Sequence, residues 1–386
     1  MTIPIKDTFI AQAKSNTDLT DFGDDWFLAH LDMLIPALNG QAQLNEAGEY
    51  GAQAMIQSAL ERRLRHVGLI KQHPEILEED VKVKCVLSGL PRSGSTMFHR
   101  MLASAESLTA VRWYETQNYV PLPGEKHGDP TPRKEAAKGI LDYMLEAIPE
   151  LMSIHPMSID QPDEEVIILG QLFSSSMIES TYHVPDYADW LWDQNPKQAY
   201  EDLIVILKSL QWQDPSRRGK EWVLKTPGHL MSMPTVLDVF PDSKIVMTHR
   251  DPVQTVPSYC SMMASLYKMG SASITNELIG EFWPARLKQW LDRFMAARTE
   301  MNADRFIDVD YNEQLSNPIS IAGQVLEKSG LDMTDELKAG MSDWIEANKR
   351  EHRAPHKYEL ADFDLSRSEI ETQFTAYRNK YILGTE

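Results

Sequence analysis

The sequence predicts an α/β protein: a three-layer P-loop-type fold with a central, mainly parallel sheet, a helical N-terminal arm and a helical insertion. Three observations lead there. Short apolar runs recur at 81–87, 222–224, 245–247 and 306–309, with helix-compatible segments between most of them. Strands alternating with helices form a parallel sheet covered on both faces. The first run passes from alternation (Val81-Lys82-Val83-Lys84) into a wholly apolar Cys85-Val86-Leu87, as a strand entering a buried sheet does. A glycine-bearing loop follows it directly, and a helix begins after the loop.

Ahead of the first strand, Trp26, Phe27, Leu31, Met33, Leu34 and Leu38 form one broad apolar helical face, and Gly40 is a plausible stop. A second helix is expected from Leu44 to about Lys71, broken at His73-Pro74. Residues 1–80 are therefore an arm packed on the α/β unit of residues 81–386, the whole forming one structural domain. The insertion, at about 120–215, carries Tyr182, Tyr187, Trp190, Trp192, Tyr200 and Trp212. These rings either line a ligand pocket or pack helices together. An amphipathic helix is expected from about Ser368 to Tyr381.

Composition narrows the function. The 386 residues are 42% hydrophobic and 25% charged, an ordinary balance for a chain with a substantial core. A formal charge of −19 disfavours nonspecific nucleic-acid binding, which needs many Lys/Arg–phosphate contacts. A small anion can still bind where a cleft focuses a local field. Cys85 and Cys260 are too few for a disulfide framework and are expected as buried thiols. The N-terminus lacks the apolar core of a signal peptide, and no run approaches the roughly 18 apolar residues of a spanning helix. A cytoplasmic protein is expected. The 11 histidines contain no HExxH pair and no ligand-spaced triplet, so no metal is expected.

The strongest chemical signal is Gly89-Leu90-Pro91-Arg92-Ser93-Gly94-Ser95-Thr96 between a strand and a helix. Glycines let successive backbone N–H groups turn inward, and the helix start adds unpaired donors and partial positive charge. Ser93, Ser95 and Thr96 supply hydroxyls, and Arg92 a cationic fork. The spacing is that of a Walker A loop, but Ser95 occupies the lysine position. Mg²⁺-dependent NTPases use that lysine on the β- and γ-phosphates, so its loss weakens a kinase or NTPase reading. A second anion clamp is expected where the strand at 245–248 runs into His249-Arg250-Asp251-Pro252. Pro252 suits the first turn of a helix, and Arg250 falls at a strand's carboxyl end, with Ser258 two helical turns on. An arginine and a hydroxyl can hold a phosphate through charge-assisted hydrogen bonds.

Together, Leu90-Pro91-Arg92-Ser93-Gly94-Ser95-Thr96 and His249-Arg250-Asp251-Pro252 through Ser258 resemble the two nucleotide-binding blocks of the sulfotransferases that use 3′-phosphoadenosine 5′-phosphosulfate (PAPS), bacterial members above all. The resemblance extends to Asp21-Phe22-Gly23-Asp24-Asp25-Trp26-Phe27 in the arm and to Trp222-Val223-Leu224-Lys225-Thr226-Pro227-Gly228-His229 in a central strand. It also covers His356-Lys357-Tyr358-Glu359-Leu360-Ala361-Asp362-Phe363 near the C-terminus. Ser95 stands where threonine is commoner, and Asp364 where glycine is usual.

This resemblance implies PAPS as donor and 3′-phosphoadenosine 5′-phosphate (PAP) as product. The first block would hold the 5′-phosphosulfate, and Arg250 with Ser258 the 3′-phosphate. Arg350, Arg353, His356 and Lys357 would close over the 3′-phosphate or adenosine, or form a solvated basic patch. Lys225 is implied to stabilise charge on the bridging oxygen. Three candidates remain for the base that takes the acceptor proton: Glu115, His229, and the acidic run Asp163-Glu164-Glu165. Glu115 is favoured by its separation from the loop, which is about that of the glutamate of protein-tyrosine sulfotransferases. A small-molecule acceptor, an alcohol or phenol of small or lipid-like character, is expected over a polysaccharide. A P-loop nucleotide kinase or NTPase, and a non-catalytic nucleotide-binding protein, are the alternatives.

Overall fold

Strands without a polar face must be covered on both sides, and the alternation of their side chains decides which helices cover which face. The computed structural model describes residues 2–149, 151–271, 273–348 and 358–385. Strands β1 (Val83–Gly89), β2 (Leu108–Thr109), β3 (Glu221–Lys225), β4 (Lys244–His249) and β5 (Phe306–Asp310) form one sheet in the order β2-β3-β1-β4-β5. Every pairing is parallel. Leu87 lies beside Lys225 of β3, and Gly89 beside Thr248 of β4. Val86, Leu224, Ile245 and Met247 face one apolar cluster, whereas Cys85, Leu87, Val223 and Val246 face another built on the helices Ser95–Ala103 and Pro318–Lys328.

The first cluster also takes in the N-terminal helices α1 (Lys6–Thr17), α2 (Phe27–Gly40) and α3 (Glu46–Gln72) through Phe9, Leu31, Leu34, Ile56 and Leu60. The Asn45 side chain caps α3 by accepting from Gly48 N at 2.8 Å, and the next helical turn after α3 starts at Pro74. Helix α1 has no counterpart in the sequence reading. Only Phe9 and Ala13 of its twelve residues are buried, too few to leave a legible stripe. In the insertion, Tyr182, Tyr187 and Tyr200 are core residues, and Trp190 and Trp192 pack against that core. Helix packing is thus their role, and Trp212 faces a separate surface cavity. Cys85 and Cys260 are buried free thiols.

The C-terminal helix is divided into Arg367–Gln373, Thr375–Arg378 and a π-helical turn Asn379–Leu383. Asp364, before it, sits at φ 55° in the left-handed region, which glycine adopts without strain. That accounts for the glycine usual at this position. Among the described residues, no helix is long and apolar enough to cross a membrane.

One close approach ties the arm to the helix Pro252–Gly270. The Gly270 carbonyl accepts from Asn45 N at 2.9 Å, and a Cβ on Gly48 would lie 1.9 Å from the same oxygen. Gly48→Ala should therefore destabilise the protein by about 1–3 kcal/mol through overpacking. A urea unfolding midpoint unchanged by Gly48→Ala would contradict this contact.

Candidate active site

A parallel sheet places all its strand carboxyl ends on one edge, and ligands bind there. The residues just beyond four strands meet in one cleft of about 570 Å³: Pro91 and Arg92 after β1, Thr226 after β3, Arg250 after β4 and Tyr311 after β5. A cavity of about 700 Å³ lies at the opposite edge, among Lys82, Lys84 and Glu221 at the strands' amino ends. The first is the candidate site, because loop, cations and helix start converge there.

The loop after β1 owes its shape to three backbone positions. A Cβ on Gly89, at φ 143°, would lie 2.4 Å from Thr248 Oγ1. Arg92 and Gly94 take φ 71° and 84°, and Gly94 opens helix α4 (Ser95–Ala103) as its N-cap. Left-handed residues interspersed in a loop are the geometry by which successive N–H groups converge on an anion. A non-glycine residue such as Arg92 held there is a common mark of a functional site. Gly94, Ser95 and Thr96 line the cleft with Pro91 and Arg92. Ser93 does not. Its hydroxyl is buried 2.7 Å from Thr248 Oγ1, so it braces the loop against β4 and stays outside the cleft lining.

The second clamp and the loop are already joined. Arg92 Nε donates to Ser258 Oγ at 3.1 Å, and Arg250 Nη1 donates to the Arg92 carbonyl at 2.7 Å. Arg250 stacks over the Tyr311 ring, 4.2 Å from its centroid, and its Nε donates to Gln254. Arg250 and Ser258 both line the cleft. Arg350, Arg353, His356 and Lys357 lie outside the described residues.

Lys225, the last residue of β3, has no exposed side-chain surface, and its Nζ donates to Thr96 Oγ1 at 3.1 Å. It also pairs with Glu164, whose other carboxylate oxygen accepts from Thr226 Oγ1 at 3.3 Å. The acidic run divides into three environments. Glu164 faces the cleft. Asp163 is buried against Arg100 of α4 at 3.1 Å, with His155 at 3.6 Å. Burial pushes the Asp163 carboxyl up, but His155, Arg100 and Lys225 together hold it well below the usual carboxylate range. Glu165 is buried too, accepting from Lys225 N at 3.0 Å and meeting His229 Nε2. Burial raises its pKa, and His229 and the Lys225 N–H outweigh that and leave it lowered.

Two expected bases are not brought to the cleft. His229 is fully buried between Glu165 and the Tyr200 hydroxyl, 2.8 Å from Nδ1, so both ring nitrogens are engaged. Glu115 lies in the helix α5 (Trp113–Gln117) beside a different cavity, of about 460 Å³, shared with Arg112 and Trp212. Its carboxylate takes Arg217 Nη2 at 2.7 and 2.9 Å, the Arg112 N–H at 2.8 Å and the Tyr114 hydroxyl at 3.0 Å. It is a capping and ion-pairing group. The backbone of this stretch pairs with residues 159–163, with Asp163 N donating to the Val111 carbonyl at 2.9 Å, so it supports the segment that carries Glu164.

The family model described as "Sulfotransferase family" matches residues 86–335. The chain belongs to the sulfotransferase family. Among solved structures it is similar to sulfotransferase STF1 from Mycobacterium tuberculosis H37Rv, with 26% identity over 97% of this chain and 99% of that one, at a TM-score of 0.83. It shares the fold of sulfotransferase STF9 from Mycobacterium avium, with 23% identity over 98% and 97% of the two chains and a TM-score of 0.86. No curated protein gives a significant match.

Within this sulfotransferase, sequence reasoning missed Arg100, Tyr311 and His155 as parts of the site. Tyr311 had a signal, since it lies two residues after a predicted strand. Arg100 had none: its guanidinium donates to the Pro156 and Pro162 carbonyls, both at 2.9 Å, and those partners are distant in sequence. The buried Glu115–Arg217 pair should be structural. Glu115→Ala leaves an uncompensated buried arginine and should cost about 3–5 kcal/mol in unfolding free energy, measured by urea denaturation. A large loss of turnover in a variant of normal stability would return Glu115 to the chemistry.

Proposed function

We propose that this sulfotransferase moves the sulfuryl group of PAPS directly to the hydroxyl of a small or lipid-like alcohol or phenol, releasing PAP. The observation that carries this reading is the meeting of Lys225, Thr96 and Glu164 at the start of α4, in the cleft that Arg92, Arg250 and Ser258 also enter. The residues fit a donor with phosphates at both ends. The loop N–H groups and the N-terminus of α4 suit the 5′-phosphosulfate. Arg250 and Ser258, one helix away, suit the 3′-phosphate.

In this reading the acceptor oxygen bonds to sulfur as the bond from sulfur to the bridging oxygen breaks, and the electron pair leaves with PAP. Lys225, desolvated and aimed at the loop, stabilises the charge that grows on that oxygen. Glu164 takes the acceptor proton, the one member of the acidic run open to the cleft. Glu165, itself paired with His229, holds the Lys225 backbone from behind. Apolar side chains of the same cleft, Met177, Met262, Met263 and Leu266, favour an acceptor with a hydrophobic body.

Three variants test the assignment. Glu164→Gln should lower turnover by roughly 10²–10⁴ with PAP affinity kept, the range of a lost general base; unchanged turnover would remove it from that role. Lys225→Ala should depress turnover more than donor affinity, and a pure binding defect would contradict transition-state stabilisation. Arg250→Ala should weaken PAP far more than adenosine 5′-phosphosulfate, and equal losses would refute the 3′-phosphate clamp. A screen of alcohols and phenols with labelled PAPS identifies the acceptor.

A further inference from the structure

The residues on either side of Arg250 are both held by the end of the chain. His249 Nδ1 lies 2.8 Å from the Tyr377 hydroxyl, and its ring stacks on Tyr381 at 4.5 Å with an interplanar angle of 6°. On its other side His249 Nε2 is 2.8 Å from Asp308, which is itself gripped by both ends of the Arg298 guanidinium at 2.6 and 2.8 Å. Asp251 caps the helix Pro252–Gly270 by accepting from Val253 N at 3.0 Å. The same carboxylate takes a two-pronged ion pair from Arg378, Nε at 3.0 Å and Nη2 at 3.1 Å. Arg378 is itself fixed by Glu371 at 3.2 Å.

Arg250 thus projects from a backbone clamped at both neighbours by one C-terminal segment, 375–383. Its own contacts, the Arg92 carbonyl, Gln254 and the Tyr311 ring, then fix only the side chain. Bidentate recognition of a phosphate depends on both. A guanidinium displaced by about an ångström loses much of its advantage over a solvated point charge.

We propose that segment 375–383 is a strap that positions Arg250 for the 3′-phosphate, with Arg378, Tyr377 and Tyr381 as positioning residues that set the donor's specificity without touching it. This rests on the donor reading above. Because the strap bears on the two neighbours of Arg250, loosening it should erode discrimination between nucleotides more than general affinity.

The test is calorimetric binding of PAP and of adenosine 5′-phosphate to the full chain, with thermal unfolding alongside. Wild-type protein should prefer PAP. Arg378→Ala should reduce that preference about tenfold, the scale of one charge-assisted hydrogen bond, and change adenosine 5′-phosphate binding less than about twofold. Arg378→Lys should recover part of the preference. With PAPS as variable substrate, KM should rise in Arg378→Ala while kcat holds. Tyr377→Phe, which removes only the hydroxyl at His249, repeats the comparison should Arg378→Ala unfold. Equal weakening of both nucleotides, or a preference intact in both variants, overturns the strap. Wild-type protein with no preference for PAP overturns the donor reading, and the strap with it.

Discussion

The parallel register of β1 between β3 and β4 is the constraint on which the site depends. It carries the ends of β1, β3 and β4 to one edge, so the loop after β1, Lys225 and Arg250 meet although more than a hundred residues separate the first from the others. Gly89 shows how tight that register is, since its missing Cβ makes room for Thr248 of the neighbouring strand. The Ser93–Thr248 contact then ties the loop to the same strand. Side chains that look available in the sequence are thereby divided between those that face the ligand and those that keep the loop in shape.

Behind the loop, charge is arranged in layers. Asp163–Arg100 and Glu115–Arg217 are buried pairs, and each must stay complete because a lone charge in that environment is costly. Their position gives them a use beyond stability: Arg100 pins two carbonyls of the 156–163 segment to the P-loop helix, and Glu115 caps the helix whose first residues pair with that segment. The cleft-facing pair, Lys225–Glu164, sits on this rigid base. The geometry of the cleft-facing pair is in this way inherited from buried ion pairs, of which Arg100 alone also lines the cleft.

The fold was largely legible from the chain. Four of five strands announce themselves as apolar runs, the loop by its glycine spacing, and α3 by its termination before Pro74. The two-residue β2 and the weakly amphipathic α1 are too short or too polar to leave a pattern. The placement of Arg92, Arg250 and Lys225 around the candidate cleft was legible as well, because each stands at or next to a strand end. The carboxylates were not. Asp163, Glu164 and Glu165 are chemically alike in sequence, and only the path of the backbone sends one to Arg100, one to Lys225 and one to His229. Glu115 misled for the same reason, its partner Arg217 lying 102 residues away.

The cationic cleft is set in a chain of net charge −19, and this has a kinetic side. A nucleotide bearing several negative charges meets a repulsive far field before it meets the arginines. At physiological ionic strength that far field is screened beyond about 8 Å, whereas the partly buried cleft is screened much less. Added salt therefore acts in opposite directions on the two stages of capture, easing approach and loosening the final grip. In the proposed reading the nucleotide is captured at short range, with little long-range steering, and a polyanion that does not fit the loop and Arg250 gains little from the protein's field.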